Sequence, residues 1–190
     1  MDRREAIRKA TLAMGGTLSA PVMAGLLKGC TPQQSTPDWV PQFLTAEQGA
    51  LVAAIAEIII PATDTPGAKD VGVPEYIDQM LMDVFPAEDK EHFRQGLIDF
   101  TNQVQAKHNK AFVDCNEEVQ NQLLMGLAEK AKDVPPQPGT KRPFFSMMKE
   151  LTIVGFFTSE AGATQVLEYI EIPGRYDGCV PLEGKAWAIS

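Results

Sequence analysis

Ile60-Pro61-Ala62-Thr63-Asp64-Thr65-Pro66-Gly67-Ala68-Lys69-Asp70-Val71-Gly72-Val73-Pro74 separates two stretches of helical hydrophobic spacing. Its three prolines, two glycines and two aspartates make a stiff, punctuated backbone rather than a flexible linker. Upstream, Thr45 and Gln48 have the spacing of a capping box. Leu51, Ile55, Ile58 and Ile59 then recur at helical spacing, with Val52 and Ala56 widening the apolar face, and Pro61 ends the helix. That width predicts that this helix is central in the core. Downstream, Pro74 suits a first helical turn, Ile77, Leu81 and Val84 form one face, and Pro86 ends the second helix.

Working outward, Phe93, Leu97, Phe100 and Val104 mark the inner stripe of a third helix, from about Glu88 to Lys110. Asp114 and Glu117 have the spacing of a second capping box. Behind them Val119, Leu123 and Leu127 predict a fourth helix to about Lys132. Val134 to Arg142 is a proline-rich break. Pro143 starts a fifth helix, with Phe144, Met147 or Met148, Leu151 and Val154 inward. Phe144-Phe145 and Phe156-Phe157 bracket it, and one ring of each pair is expected to point away from the core. Gln165 to Ile170 reads as a short strand or a helical turn, and the residues to Ser190 as an extended tail anchored by Trp187. The fold class is mostly α: a single small domain of about five helices with long ordered loops.

The 190 residues, 44% hydrophobic, suffice for one core-bearing domain. Net charge is −8; five basic and two acidic residues in the first thirty leave the remaining chain at −11. An acidic body repels phosphate backbones, which argues against a nucleic-acid partner. Residues 1–29 read as a twin-arginine-type signal: Arg3 and Arg4 open a basic region, and a mildly apolar stretch follows from Ala10 to Leu27. Such a signal sends a folded protein through the twin-arginine translocase. Leu26-Leu27-Lys28-Gly29-Cys30 resembles a lipoprotein cleavage box, although Lys28 stands where a small or apolar residue is usual. Lipid on Cys30 would anchor an exported, periplasmic protein to a membrane. Residues 30–43 read as a proline-rich tether, and 44–190 as the folded domain. Three states remain open for Cys115 and Cys179: a bond to each other, a bond to a partner chain, or buried thiols.

Catalytic patterns are sparse. His92 and His108 lie sixteen residues apart on one predicted helix. That is about 24 Å along its axis, too far to share an ion. Surface or capping roles are expected for both. No metal pair, nucleophile elbow, phosphate loop or dinucleotide fingerprint occurs in the sequence. The expected sites are therefore neither catalytic nor cofactor-binding nor metal-ligating. Asp64 is expected to hydrogen-bond its own turn or to face a partner, and Arg175, Tyr176 and Asp177 pose a similar choice.

The segment Ile60 to Ala68, with Val73-Pro74 beyond, resembles the gluconate 2-dehydrogenase subunit 3 family. So do Phe157-Thr158-Ser159-Glu160-Ala161-Gly162 and Ile172-Pro173-Gly174-Arg175-Tyr176-Asp177-Gly178-Cys179, and the leader fits. The resemblance runs from Arg3 to about Val180. It implies a non-catalytic accessory subunit of a sugar or sugar-acid dehydrogenase. A large glucose-methanol-choline-type partner would hold FAD, and a haem c subunit would pass electrons onward. The small subunit would carry the export signal and support maturation. Asp64, Pro66, Arg175, Tyr176 and Asp177 are the candidate interface residues. Two rival classes are a free-standing exported lipoprotein with a small ligand in a helical pocket, and an enzyme using Asp64, Asp70 or Asp177 as acid or base.

Overall fold

The computed structural model describes residues 39–132, 141–172, 174, 181 and 184–189. The chain divides into two units, Met1–Asp38 and Trp39–Ser190, and the described residues all belong to the second. Arg3, Arg4 and Cys30 therefore lie outside the described residues, as do Arg175, Tyr176, Asp177 and Cys179.

The second unit is mostly helical: α1 Ala46–Ile59, α2 Val73–Asp83, α3 Ala87–His108, α4 Glu117–Lys132 and α5 Phe144–Phe157. A 3-10 turn, Phe112–Asp114, precedes α4, and a π turn, Gly162–Val166, follows α5. Two short strands, β1 Glu168–Ile170 and β2 Trp187–Ile189, pair in parallel with Tyr169 opposite Ala188.

Local chemistry accounts for the helix ends. The capping box at α1 is formed: Thr45 Oγ1 accepts from Gln48 N at 3.2 Å, and Gln48 Oε1 accepts from Thr45 N at 3.1 Å. Gly72 caps α2 at φ 76°, a left-handed conformation that favours glycine, and Pro74 lies in the first turn. The α3 helix carries Glu88 and Asp89 in its first turn and Lys107 and His108 in its last, matching its dipole, and ends on left-handed Asn109. At α4 the capping residue is Asn116, not Asp114. Asp114 is taken up in the 3-10 turn, and Asn116 Oδ1 accepts from Val119 N at 3.0 Å.

α1 lies in the core, as its width predicts, with Val52, Ile55 and Ala56 fully buried, and α5 lies at the centre of the helix packing. The α5 helix packs against each of the other four helices. Its buried residues fall in two adjacent i, i+4 rows, Met147-Leu151-Gly155 and Met148-Thr152-Phe156, so its inner face is broad. Thr152 is tolerated inside because its hydroxyl donates to Met148 O at 2.8 Å. The predicted stripes of α1 and α3 lie in the core. Val84 is 62% exposed, since α2 stops at Asp83 and Val84 only caps it. Val154 is 41% exposed, because the second inward row of α5 runs through Thr152 and Phe156.

Of the doubled aromatics, Phe156 is buried while Phe157 is 36% exposed and meets its ring edge-on at 5.3 Å. Phe144 and Phe145, by contrast, both pack on the core. At the start of α5 they straddle its rim, and Phe144 meets Phe93 at 5.1 Å. The stretch from Gln165 to Ile170 is both a helical turn and a strand. Trp187 is 47% exposed, so the tail is held by strand pairing, with Glu168 N donating to Ala186 O at 2.9 Å, rather than by a buried indole.

Candidate partner-docking loop

The loop between α1 and α2 is pinned at its base and clamped by carboxylates. Ala68 is fully buried, and its N–H donates to Ile60 O at 2.9 Å, which closes the loop. Glu57, in the last turn of α1, reaches across the gap. Its Oε1 accepts from Ala62 N at 3.0 Å and its Oε2 from Lys69 N at 3.0 Å. Asp70 Oδ2 accepts from Gly67 N at 2.9 Å. Gly67 is required here: a Cβ would lie 2.5 Å from Glu57 Oε1 and 2.6 Å from Ala62 N.

This arrangement holds Pro61 to Asp64 outward, exposed to solvent, with Pro66 half-buried behind them. Asp64 does not fix its own turn. The backbone does so, with Thr63 N donating to Thr65 O at 3.0 Å, and the Asp64 carboxylate is left exposed. A loop held by internal hydrogen bonds loses little conformational entropy on docking.

The other sequence candidates are dispersed. His92 Nε2 lies 2.8 Å from Arg142 O, tying α3 to the segment before α5. His108 is half-buried at the far end of α3, its Nε2 buried without a hydrogen-bond partner. Cys115 is a half-buried thiol whose Sγ donates to Ala111 O at 3.4 Å. Among the described residues, no three His, Cys, Asp or Glu side chains converge as a metal site would require. No described helix is long and apolar enough to cross a membrane. A cleft of about 230 Å³ lies over Phe100, Leu127 and Phe144, rimmed by His92 and Asp99. It is smaller than the roughly 300–1,000 Å³ of ordinary small-molecule sites.

Two residues that matter most to the geometry carry no sequence motif. One is Glu57. The other is Asp78, 1% exposed, which binds the backbone of the segment entering α1. Each had a signal. Glu57 is an acidic residue at a helix C-terminus, where negative charge is disfavoured unless donors supply a partner. Asp78 follows Pro74 by four residues and precedes Leu81 by three, which puts it inside the apolar stripe of α2.

Fold and loop together define a small helical body with a preorganised, side-chain-clamped surface loop. The sequence matches the family model described as gluconate 2-dehydrogenase subunit 3 over residues 46–174. The chain belongs to that family. No curated protein and no solved structure matches it.

Proposed function

We propose that this chain is the small, non-catalytic subunit of an exported dehydrogenase complex. It binds a large FAD-dependent subunit of the glucose-methanol-choline type, escorts it through the twin-arginine translocase, and stays bound afterwards. FAD belongs to the partner, and a haem c subunit completes the electron path. The complex works in the periplasm, with lipid on Cys30 as its anchor.

The observation that carries this reading is the family match across residues 46–174. The use made of the acidic side chains supports it. The carboxylates of Glu57, Asp70 and Asp78 are committed to backbone N–H groups and so serve the scaffold. Asp64 stands free on a rigid loop, as an interface residue should.

Native purification without breaking complexes tests the assembly. The chain is expected to co-purify with a protein showing a flavin spectrum. A colourless lone monomer would overturn the reading. Co-expression of the flavoprotein with Asp64→Ala, Arg175→Ala or Tyr176→Ala tests the interface. Periplasmic dehydrogenase activity is expected to fall, and undiminished export and complex formation in all three would remove these residues from the interface.

A further inference from the structure

The cleft of about 230 Å³ over Phe100, Leu127 and Phe144 has a floor that is set before anything binds. Phe100 is buried and meets the Phe112 ring at 5.2 Å. Phe144 is wedged against Gly96, where an added Cβ would lie 2.5 Å from Phe144 Cγ, and it meets Phe93 edge-on at 5.1 Å. Gln95, Asp99 and Gln103 follow one another at i, i+4 spacing on α3 and form one wall. Asp99 Oδ1 accepts from Gln95 Nε2 at 2.8 Å. The carboxylate is exposed and has no basic partner among the described residues. Its neighbours on the helix are Gln95, Gly96, Asn102 and Gln103, and the ion pairs of α3 run through Glu88, Glu91 and Arg94 instead. The whole cleft lies within the family-matched span.

We propose that this cleft receives one arginine side chain of the large partner subunit, a docking point that rests on the subunit reading above. Its volume suits a single large side chain rather than a free ligand. The apolar floor takes the aliphatic stem, and a flat guanidinium is weakly hydrated and stacks on an aromatic ring. Asp99 Oδ2 and the carboxamide oxygens of Gln95 and Gln103 then stand as acceptors for its N–H groups, since Gln95 engages only its nitrogen with Asp99. A lysine head is a compact, strongly hydrated charge and uses such a flat site poorly. A leucine or phenylalanine would fill the floor but strip water from Asp99 without offering a donor. A second copy of this chain is disfavoured by charge, because each carries −11 beyond its first thirty residues. The same charge attracts a cationic side chain of another protein.

Titration of the full chain with the flavoprotein that co-purifies with it tests this. Asp99→Asn keeps the shape and removes the charge; it is expected to raise Kd about tenfold and to flatten the dependence of Kd on salt. Asp99→Lys sets a like charge against the arginine and is expected to raise Kd at least about a hundredfold. Both variants are expected to keep the Tm of the isolated chain, because Asp99 is exposed and bonds only its neighbour Gln95. Affinity unchanged in both variants, or lost only together with Tm, would overturn the docking point and leave the subunit reading standing. Tighter binding by Asp99→Asn would mean an apolar occupant and overturn the arginine. A concentration-dependent dimer of the chain alone, abolished by Asp99→Lys, would give the cleft to a second copy and overturn the proposal as well. A chain that holds no flavoprotein at all would overturn the subunit reading and this inference with it.

Discussion

Glu57 and Gly67 form one device at the residue scale. The carboxylate occupies the space that a Cβ at Gly67 would take, and from there it reaches both sides of the loop. Glu57→Ala is expected to lower the free energy of urea unfolding by about 1–2 kcal/mol, since the freed amides lie near solvent and recover part of their bonding. Gly67→Ala is expected to cost about 1–3 kcal/mol by displacing that same carboxylate. Both substitutions break the same contacts, so the double variant should cost less than the sum by at least about 0.5 kcal/mol. Strictly additive losses would show that Glu57 and Gly67 act separately. None of this pairing is legible in the sequence, although Gly67 announces itself within a proline-rich turn. Asp64, the more conspicuous residue in the sequence, bonds nothing in its turn, because the Thr63–Thr65 backbone bond already closes it.

At the scale of elements, α5 organises the body, and its approach to α3 depends on Gly96. A Cβ there would sit 2.5 Å from Phe144 Cβ, an atom that cannot move without moving α5. Gly155 faces Tyr76, where a Cβ would lie 2.6 Å from Cδ1, an atom on a ring able to turn aside. Alanine raises helix propensity by up to about 1 kcal/mol at either site. Gly96→Ala is nevertheless expected to destabilise by about 1–2 kcal/mol net, through overpacking. Gly155→Ala should be closer to neutral. Denaturant titration of the two variants checks the order, and a stabilised Gly96→Ala would contradict the close crossing. The apolar stripe of α3 was legible because that helix faces the core along one side. The width of α5 was not, since two adjacent inward rows blur a single 3.6-residue period.

At the scale of the whole molecule, the charge balance decides how salt acts. Beyond the first thirty residues the chain carries −11. The ion pairs Arg94–Glu91, Lys132–Glu129, Lys141–Glu88 and Arg142–Glu150 all involve exposed side chains. Each contributes on the order of 0.2–1 kcal/mol at most. Self-repulsion of the acidic body therefore outweighs them. Raising ionic strength from about 0.01 to 0.1 M shortens the screening length from about 30 to 10 Å. Tm is expected to rise by about 2–4 °C over that range, measured by thermal unfolding of the full chain. A falling Tm would mean that the ion pairs dominate.

The sequence by itself determined the helices, the punctuated loop and the family, because those signals are local. A capping box spans four residues, a proline acts on its own turn, and an apolar stripe repeats every three or four positions. Only the tertiary structure decided which helix lies at the centre and what the buried and clamping carboxylates hold. Glu57 meets Lys69 N twelve residues away, and Asp78 meets Leu44 N thirty-four residues away. Their partners are backbone N–H groups, which nearly every residue carries alike. A side chain that binds backbone at long range leaves no pattern in its partner's sequence. The stiff loop from Ile60 to Pro74 was visible from its prolines and glycines, but the carboxylate that clamps it became visible only when the chain had folded.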